Sequence, residues 1–317
     1  MSATTSFSPF GENLFGESAE PKASGVVADQ FTLPPFTVMD TKAGPWKARK
    51  RAWLSHGIES EVGRDAKAYN IGDWAAGVNA TIEQPGTSIF DPVLCEMVYR
   101  WFCPPAGHIV DPFAGGSVRG IVAGLMGYHY TGIDIRAEQV DANRTQAERM
   151  QPAAQPTWIV GDAYDTIGDT APADMVFSCP PYADLEVYSD DPADLSQIAA
   201  SDYHAFISRY RHIIARAVRG MHDDRFAVFV VGDIRDRRGF YRNFVSDTIA
   251  AFIDAGAHLY NEAILVNTVG TLAMRVTKQF TASRKMGKQH QNVLVFVKGD
   301  PRRAAQACSA TAAGVAP

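Results

Sequence analysis

The most regular pattern of apolar and polar positions lies between Asp202 and Met221. There Phe206, Ile207, Tyr210, Ile213, Ile214, Ala217 and Val218 recur at helical spacing and predict an amphipathic helix. Phe226 to Val231 is almost wholly apolar, as in a strand covered on both faces. Upstream, His108 to Asp111, His129 to Ile135, Thr157 to Val160 and Asp174 to Ser178 read as short strands. Ser117 to Met126 and Ala137 to Met150 read as the helices between them, the second strongly polar. A helix from Tyr241 to about Ala255 is closed by Gly256, and the last strands are Ala263 to Val266 and Asn292 to Val297. Strands separated by helices imply an α/β fold, a mostly parallel sheet with helices on both faces. The closing pair has no helical period between its members, so it is expected to form an antiparallel hairpin with a long connection.

Residues 1–30 and 301–317 are rich in small and polar residues and are expected to be flexible tails. Residues 31–85 form an N-terminal extension, and 86–300 the main domain. With 46% hydrophobic residues the chain can bury a full core. No apolar run approaches the roughly 18 residues of a membrane helix, which argues against a membrane partner. The N-terminus lacks the pattern of a secretory signal. Cys95, Cys103, Cys179 and Cys308 are scattered without metal-ligand spacing, so no metal is expected. The expected compartment is a reducing cytoplasm; the oligomeric state is left open.

Candidate chemistry gathers at the strand ends. The first strand runs into Asp111-Pro112-Phe113-Ala114-Gly115-Gly116-Ser117 directly before a helix, and the two glycines let a ligand approach the backbone. The next strand ends in Asp134, suited to accepting hydrogen bonds from both hydroxyls of a ribose. The third ends in Gly161-Asp162, where the carboxylate can accept from an adenine amino group. A Gly-x-Gly-x-x-Gly turn is absent, which disfavours a nicotinamide dinucleotide. After the fourth strand stand Ser178-Cys179-Pro180-Pro181-Tyr182, a strand end stiffened by two prolines.

The Asp-Pro-Phe-Ala-Gly-Gly loop resembles the cofactor loop of the DNA amino-methyltransferases, which make N6-methyladenine or N4-methylcytosine. Gly86-Thr87-Ser88-Ile89-Phe90-Asp91-Pro92 is similar to the segment that this family folds over the methionine carboxylate. The resemblance runs from about Gly86 to Lys298 and implies a Rossmann-like, seven-stranded methyltransferase domain using S-adenosylmethionine. It implies that Thr87 and Ser88 hold the carboxylate and that Asp111, Phe113, Ala114, Gly115 and Gly116 lie against the methionine. Asp134 would then take the ribose and Asp162 the adenine. Cys179, Pro180, Pro181 and Tyr182 occupy the position of the catalytic tetrapeptide. In the family that motif holds the amino group through a side-chain oxygen and a backbone carbonyl, while the aromatic ring stacks on an extruded base. Stand-alone methylases of bacteriophages are also similar, particularly in Gly232-Asp233-Ile234-Arg235-Asp236 and His290 to Phe296.

The family has Asp, Asn or Ser where this chain has Cys179, and a thiol is a weak acceptor. Three readings stay open. The Pro180 carbonyl or the Ser178 hydroxyl holds the amino group; or Asp184 or Glu186 takes part through a shifted register; or Cys179 is a nucleophile toward a pyrimidine ring carbon. An RNA or small-molecule substrate, or a decayed protein that binds without turnover, are the remaining alternatives.

The net charge of −5 does not favour a protein coated in nucleic acid, but it leaves room for a local basic groove. Candidate DNA contacts are Lys47, Arg49, Lys50 and Arg51, interleaved with Trp46 and Trp53, and Arg275, Lys278, Arg284, Lys285 and Lys288 in the last connection. A third cluster, Arg235, Arg237, Arg238 and Arg242, reads as a solvated face.

Overall fold

The computed structural model describes residues 33–59, 90–183, 194–267 and 272–309. Thr87, Ser88, Asp184 and Glu186 lie outside them. The strands are β1 (Val38–Asp40), β2 (His108–Asp111), β3 (His129–Asp134), β4 (Thr157–Val160), β5 (Ala173–Ser178), β6 (Met221–Val231), β7 (His258–Val266) and β8 (His290–Lys298). They form one sheet in the order β1-β7-β8-β6-β5-β2-β3-β4. All neighbours are parallel except β8, which runs antiparallel to both β6 and β7.

The sheet therefore has eight strands rather than seven, because Val38–Asp40 of the extension adds a parallel edge strand on Ile264–Val266. From β2 the chain winds outward through β3 to β4, then returns to β5 on the other side of β2 and continues to β6. The order reverses between β2 and β5, and the crevice beyond their carboxyl ends is where open α/β sheets bind ligands.

Alternation along the strands divides the core into two layers. Ile109, Met175, Phe177, Phe226, Val228, Val230, Val293, Val295 and Val297 face one layer. It is covered by α1 (Gly44–Ser55), α2 (Pro92–Phe102), α3 (Val118–Leu125), α4 (Ala137–Met150) and the last helix. Val110, Val176, Ala227, Phe229, Val231, Leu294 and Phe296 face the other, under α7 (Tyr203–Gly220) and α8 (Phe244–Asp254). The short helices α5 (Ala163–Thr166) and α6 (Leu195–Ser201) sit at the strand ends on that side. The stripe predicted for α7 is the buried one, and Asp202 caps the helix by accepting from the His204 and Ala205 amides.

Three expectations are corrected. The connection between β7 and β8 carries a helix, α9 (Leu272–Ser283). Its side chains are mostly exposed, so it leaves no apolar stripe for periodicity to detect. The expected C-terminal tail begins with a helix, α10 (Pro301–Ser309). It docks through fully buried Ala304 and partly buried Cys308 while Asp300 accepts from the Arg302 and Arg303 amides. Small residues at helical spacing seat a helix closely against its neighbours, and composition alone reads them as a tail.

The third concerns α1. Trp46, Arg49 and Trp53 are buried against α2. Arg49 forms a bidentate ion pair with fully buried Glu96, which also accepts from Trp53 Nε1 at 2.7 Å and Arg100 Nε at 3.0 Å. Arg49 is thus part of the core and is removed from the candidate DNA contacts.

Candidate cofactor and substrate site

Asp111, at the end of β2, is a buried hub. Its carboxylate accepts from Arg119 Nε (2.5 Å), Tyr130 Oη (2.7 Å), Ser178 Oγ (2.5 Å) and the Phe113 amide (3.1 Å). Arg119 also donates to the carbonyls of Phe113 and Ala114 and lies over the Phe90 ring. Burial alone would lower the Arg119 pKa, but the neighbouring Asp111 carboxylate outweighs it and holds the guanidinium charged above its usual range. Asp111 thereby ties the ends of β2 and β5 together at the switch point.

The following loop is held from two sides. Gly115, at φ 50°, donates its amide to Asp134 Oδ2 at 2.8 Å, and its carbonyl accepts from Asn143 Nδ2 at 2.7 Å. Asn143 accepts from Gln139 at 3.0 Å, and Gln146 accepts from Ser117 at 2.5 Å, all three α4 side chains being buried. Buried polar side chains of α4, a helix that the sequence shows to be strongly polar, therefore cradle the glycine loop. Gly132 is required here: a Cβ would stand 2.8 Å from the Ala114 Cβ, so its absence lets the loop lie on β3.

Asp134 ends β3 opposite Val160, the last residue of β4, and Asp162 follows two residues later. Asp134 also accepts from the Arg136 amide at 2.9 Å. Asp162 caps α5 by accepting from the Tyr164 amide at 2.8 Å and pairs with Arg209, which lies over the Tyr164 ring. Both carboxylates line the same cavity.

At the end of β5, Ser178 is fully buried and its hydroxyl is committed to Asp111. A donating hydroxyl keeps its lone pairs, so what stands against Ser178 holding a substrate amino group is its full burial outside the cavity lining. Cys179 Sγ lies 3.7 Å from Tyr182 Oη. Tyr182 donates to the Val230 carbonyl at 3.4 Å and accepts from Gln291 Nε2, while Gln291 Oε1 accepts from Asn267 Nδ2 at 3.1 Å. This chain of hydrogen bonds fixes the Tyr182 ring from the far ends of β7 and β8.

These elements enclose one cavity of about 540 Å³. Of the residues expected from the sequence, Phe113, Gly115, Asp134, Asp162, Cys179, Pro180, Pro181 and Tyr182 line it. Asp111, Ala114 and Gly116 are buried behind its wall, where they shape the loop instead of touching a ligand. Arg119, Asn267 and Gln291 also line it and were missed. Arg119 and Asn267 carry no local motif, Gln291 falls in the His290 to Phe296 stretch without a role assigned to it, and only the topology brings the two ends of the last connection back to β5. Lys50, expected on DNA, instead lines this cavity and pairs with Asp91 at 3.0 Å. Lys47 and Arg51 are exposed on α1, away from the cavity lining. Lys278 and Arg284 are exposed, Lys285 and Lys288 half-buried, and the Arg275 side chain lies outside the described ones. Among the described residues there is no cluster of His, Cys, Asp or Glu that could hold a metal, and no helix long and apolar enough to cross a membrane.

No protein-family model matches the chain, and no curated protein matches it in sequence. Among solved structures, TrmN from Thermus thermophilus matches at 13% identity and TM-score 0.44, over 66% of this chain and 49% of that one. The chain thus spans about half the length of that protein. A magnesium protoporphyrin IX methyltransferase from Synechocystis, solved with bound S-adenosylmethionine, matches at 14% identity and TM-score 0.41, over 66% and 79%. A methyltransferase from Pyrococcus furiosus matches at 13% identity and TM-score 0.44, over 71% and 92%. The strand order, with a reversed strand inserted next to last, is the Rossmann-like methyltransferase arrangement with one further edge strand. At these identities, and with TM-scores below 0.5, the matches say nothing of activity or substrate.

Proposed function

We propose that the chain is an S-adenosylmethionine-dependent methyltransferase acting on the exocyclic amino group of adenine (N6) or cytosine (N4) in DNA. The observation that carries the reading is the meeting, in one cavity, of two strand-end carboxylates, a glycine loop and a Cys-Pro-Pro-Tyr strand end. The cofactor fits this donor set. The volume lies within the roughly 300–1,000 Å³ of small-molecule sites. Asp134 suits ribose hydroxyls, Asp162 an adenine amino group, and Arg119 with Lys50 the methionine carboxylate, beside the N-terminus of α2. When bound, the cofactor supplies an electrophilic methyl group on a sulfonium.

The chain's own part is positioning. The lone pair of an exocyclic amino group is delocalised into the ring, and an acceptor for its proton biases the nitrogen toward a geometry that can attack. With Ser178 buried outside the cavity lining, the Pro180 carbonyl is the acceptor assigned here, at a strand end made stiff by Pro180 and Pro181. Tyr182, fixed through its hydroxyl, offers its ring to the base. No strong base is needed, since the proton can leave after transfer. A second reading rests on the place of Cys179 in the cavity lining together with Arg119, where it could serve as the nucleophile that carbon-5 methylation of cytosine requires.

The test is to incubate the protein with methyl-labelled cofactor and unmethylated mixed-sequence DNA, then analyse the nucleosides by mass spectrometry. N6-methyladenine or N4-methylcytosine is expected. 5-Methylcytosine would transfer the role to Cys179, and label in RNA alone, or none despite cofactor binding, would overturn the DNA reading.

A further inference from the structure

Of the twelve large apolar side chains exposed among the described residues, five fall in one corner: Phe240, Tyr241, Met274, Phe280 and Met286. They belong to two segments, the loop from Asp233 to Asn243 after β6 and the stretch from Leu272 to His290 that contains α9. Those segments also hold nine Arg and Lys residues against two carboxylates, in a chain whose net charge is −5. Exposed apolar surface interleaved with one sign of charge marks an interaction site.

Both carboxylates build the loop. Asp233 accepts from the Val245 amide at 3.1 Å, where α8 begins. Asp236 accepts from the Phe240 amide at 2.9 Å with its side chain and from the Gly239 amide at 2.9 Å with its carbonyl, and its own amide donates to the Phe240 carbonyl at 2.8 Å. Arg235 pairs with Tyr241 as a β-bridge, lies 3.9 Å over its ring, and donates to the Gly239 carbonyl at 2.8 Å. The turn closed in this way presents Phe240 at 66% exposure, with the Arg238 guanidinium 5.6 Å from its ring. The second segment is fitted to the first: Lys285 Nζ packs where a side chain at Gly239 would stand. A cavity of about 340 Å³, lined by Arg235, Tyr241, Gln279 and Lys288 among others, lies between them. The loop leaves β6 immediately after Val230 and Gly232, which adjoin Tyr182, so the corner flanks the catalytic tetrapeptide.

We propose that this corner grips duplex DNA beside the target. The cations of both segments hold backbone phosphates, and Phe240 stacks in the gap that the extruded base leaves. The inference rests on the base-modifying reading above. A rigid, exposed aromatic side chain lowers the cost of unstacking by replacing the lost neighbour, whereas a flexible one would first have to be ordered. Arg237, Arg238, Arg284 and Lys285 supply sequence-independent attraction that keeps the duplex in register with the cavity.

The test uses the full chain and a fluorescein-labelled 30-base-pair duplex, either intact or with one central abasic position, at fixed salt and in the presence of S-adenosylhomocysteine. Wild type is expected to prefer the abasic duplex. Phe240→Ala should lose about tenfold in affinity for it, the effect of one lost base–aromatic stack, while Phe240→Trp retains the preference. Arg237→Glu with Lys285→Glu should weaken both duplexes alike. Cofactor affinity, measured by calorimetry, should be unchanged in every variant. If wild type methylates DNA and Phe240→Ala matches it on the abasic duplex, the wedge is overturned and the base-modifying reading stands. If wild type neither binds nor methylates either duplex, both fall. Self-association of wild type that Phe240→Ala abolishes in sedimentation would overturn the proposal by giving the face to a second copy of the chain.

Discussion

Asp111 and Asp134 each end a parallel strand, yet their surroundings give them opposite work. Asp111 sees no cavity and neutralises a buried guanidinium, while Asp134 keeps a face on the cavity and accepts from the Gly115 and Arg136 amides. Removing one partner of a buried pair leaves the other charge uncompensated, so Asp111→Ala should cost about 3–5 kcal/mol of stability in urea unfolding. Asp134→Ala should cost less, about 1–2 kcal/mol, for the Gly115 and Arg136 amides it leaves unpaired. It should also weaken S-adenosylhomocysteine binding by about 10–100-fold in calorimetry, since hydrogen bonds to a charged group contribute about 1.5–3 kcal/mol. Equal effects of the two substitutions on both readouts would refute this division of roles.

Among the elements, α10 is where sequence and structure part most clearly. Ala304 is fully buried between neighbours, and Ala305 beside it in the chain is exposed. Ala304→Glu should therefore destabilise the fold by about 3 kcal/mol or more through an unpaired buried charge, and Ala305→Glu by less than about 0.5 kcal/mol. Equal, small effects of both would return the segment to the status of a tail. The elements legible in advance were those with strong period: β2, α4, β4 and α7 stand within a residue or two of their expected bounds, because each buries a regular face or ends at a turn. Those missed fail for stated reasons. Helix α10 docks through alanine and cysteine, which composition does not distinguish from a linker. Helix α9 buries little, and the inner face of α4 is amide rather than apolar because it serves the glycine loop. At the site, the motifs pointed to Phe113, Gly115, Asp134, Asp162 and the segment Cys179 to Tyr182, which line one cavity. Arg119, Asn267 and Gln291 emerge only from the fold, and Asp111 was assigned to a ligand because a strand-end carboxylate looks the same whether it points into a cavity or away from it.

At the scale of the whole molecule, charge is segregated. The formal total is −5, while the loop after β6 and the β7–β8 connection together carry a large local excess of cations. Net charge alone would predict repulsion from a polyanion, whereas a local basic field beside the crevice predicts steered capture of one. The two differ in salt dependence. Each phosphate neutralised releases condensed counterions and contributes about −0.9 to the slope of log K against log salt on duplex DNA, so five or six such contacts give a slope of roughly −4.5 to −5.5. Cofactor binding at the site proposed above, among paired groups inside the cavity, should be nearly flat over the same range. Fluorescence anisotropy with a labelled duplex, alongside calorimetry with S-adenosylhomocysteine, measures both slopes. A DNA slope near zero would mean that the basic corner does not face the duplex, and Lys47 and Arg51 on α1 would then be the remaining exposed cations of the expected set to examine. A steep slope that charge reversal at Arg237 and Lys285 reduces by about 2 would locate the field in that corner, since each residue accounts for about one phosphate.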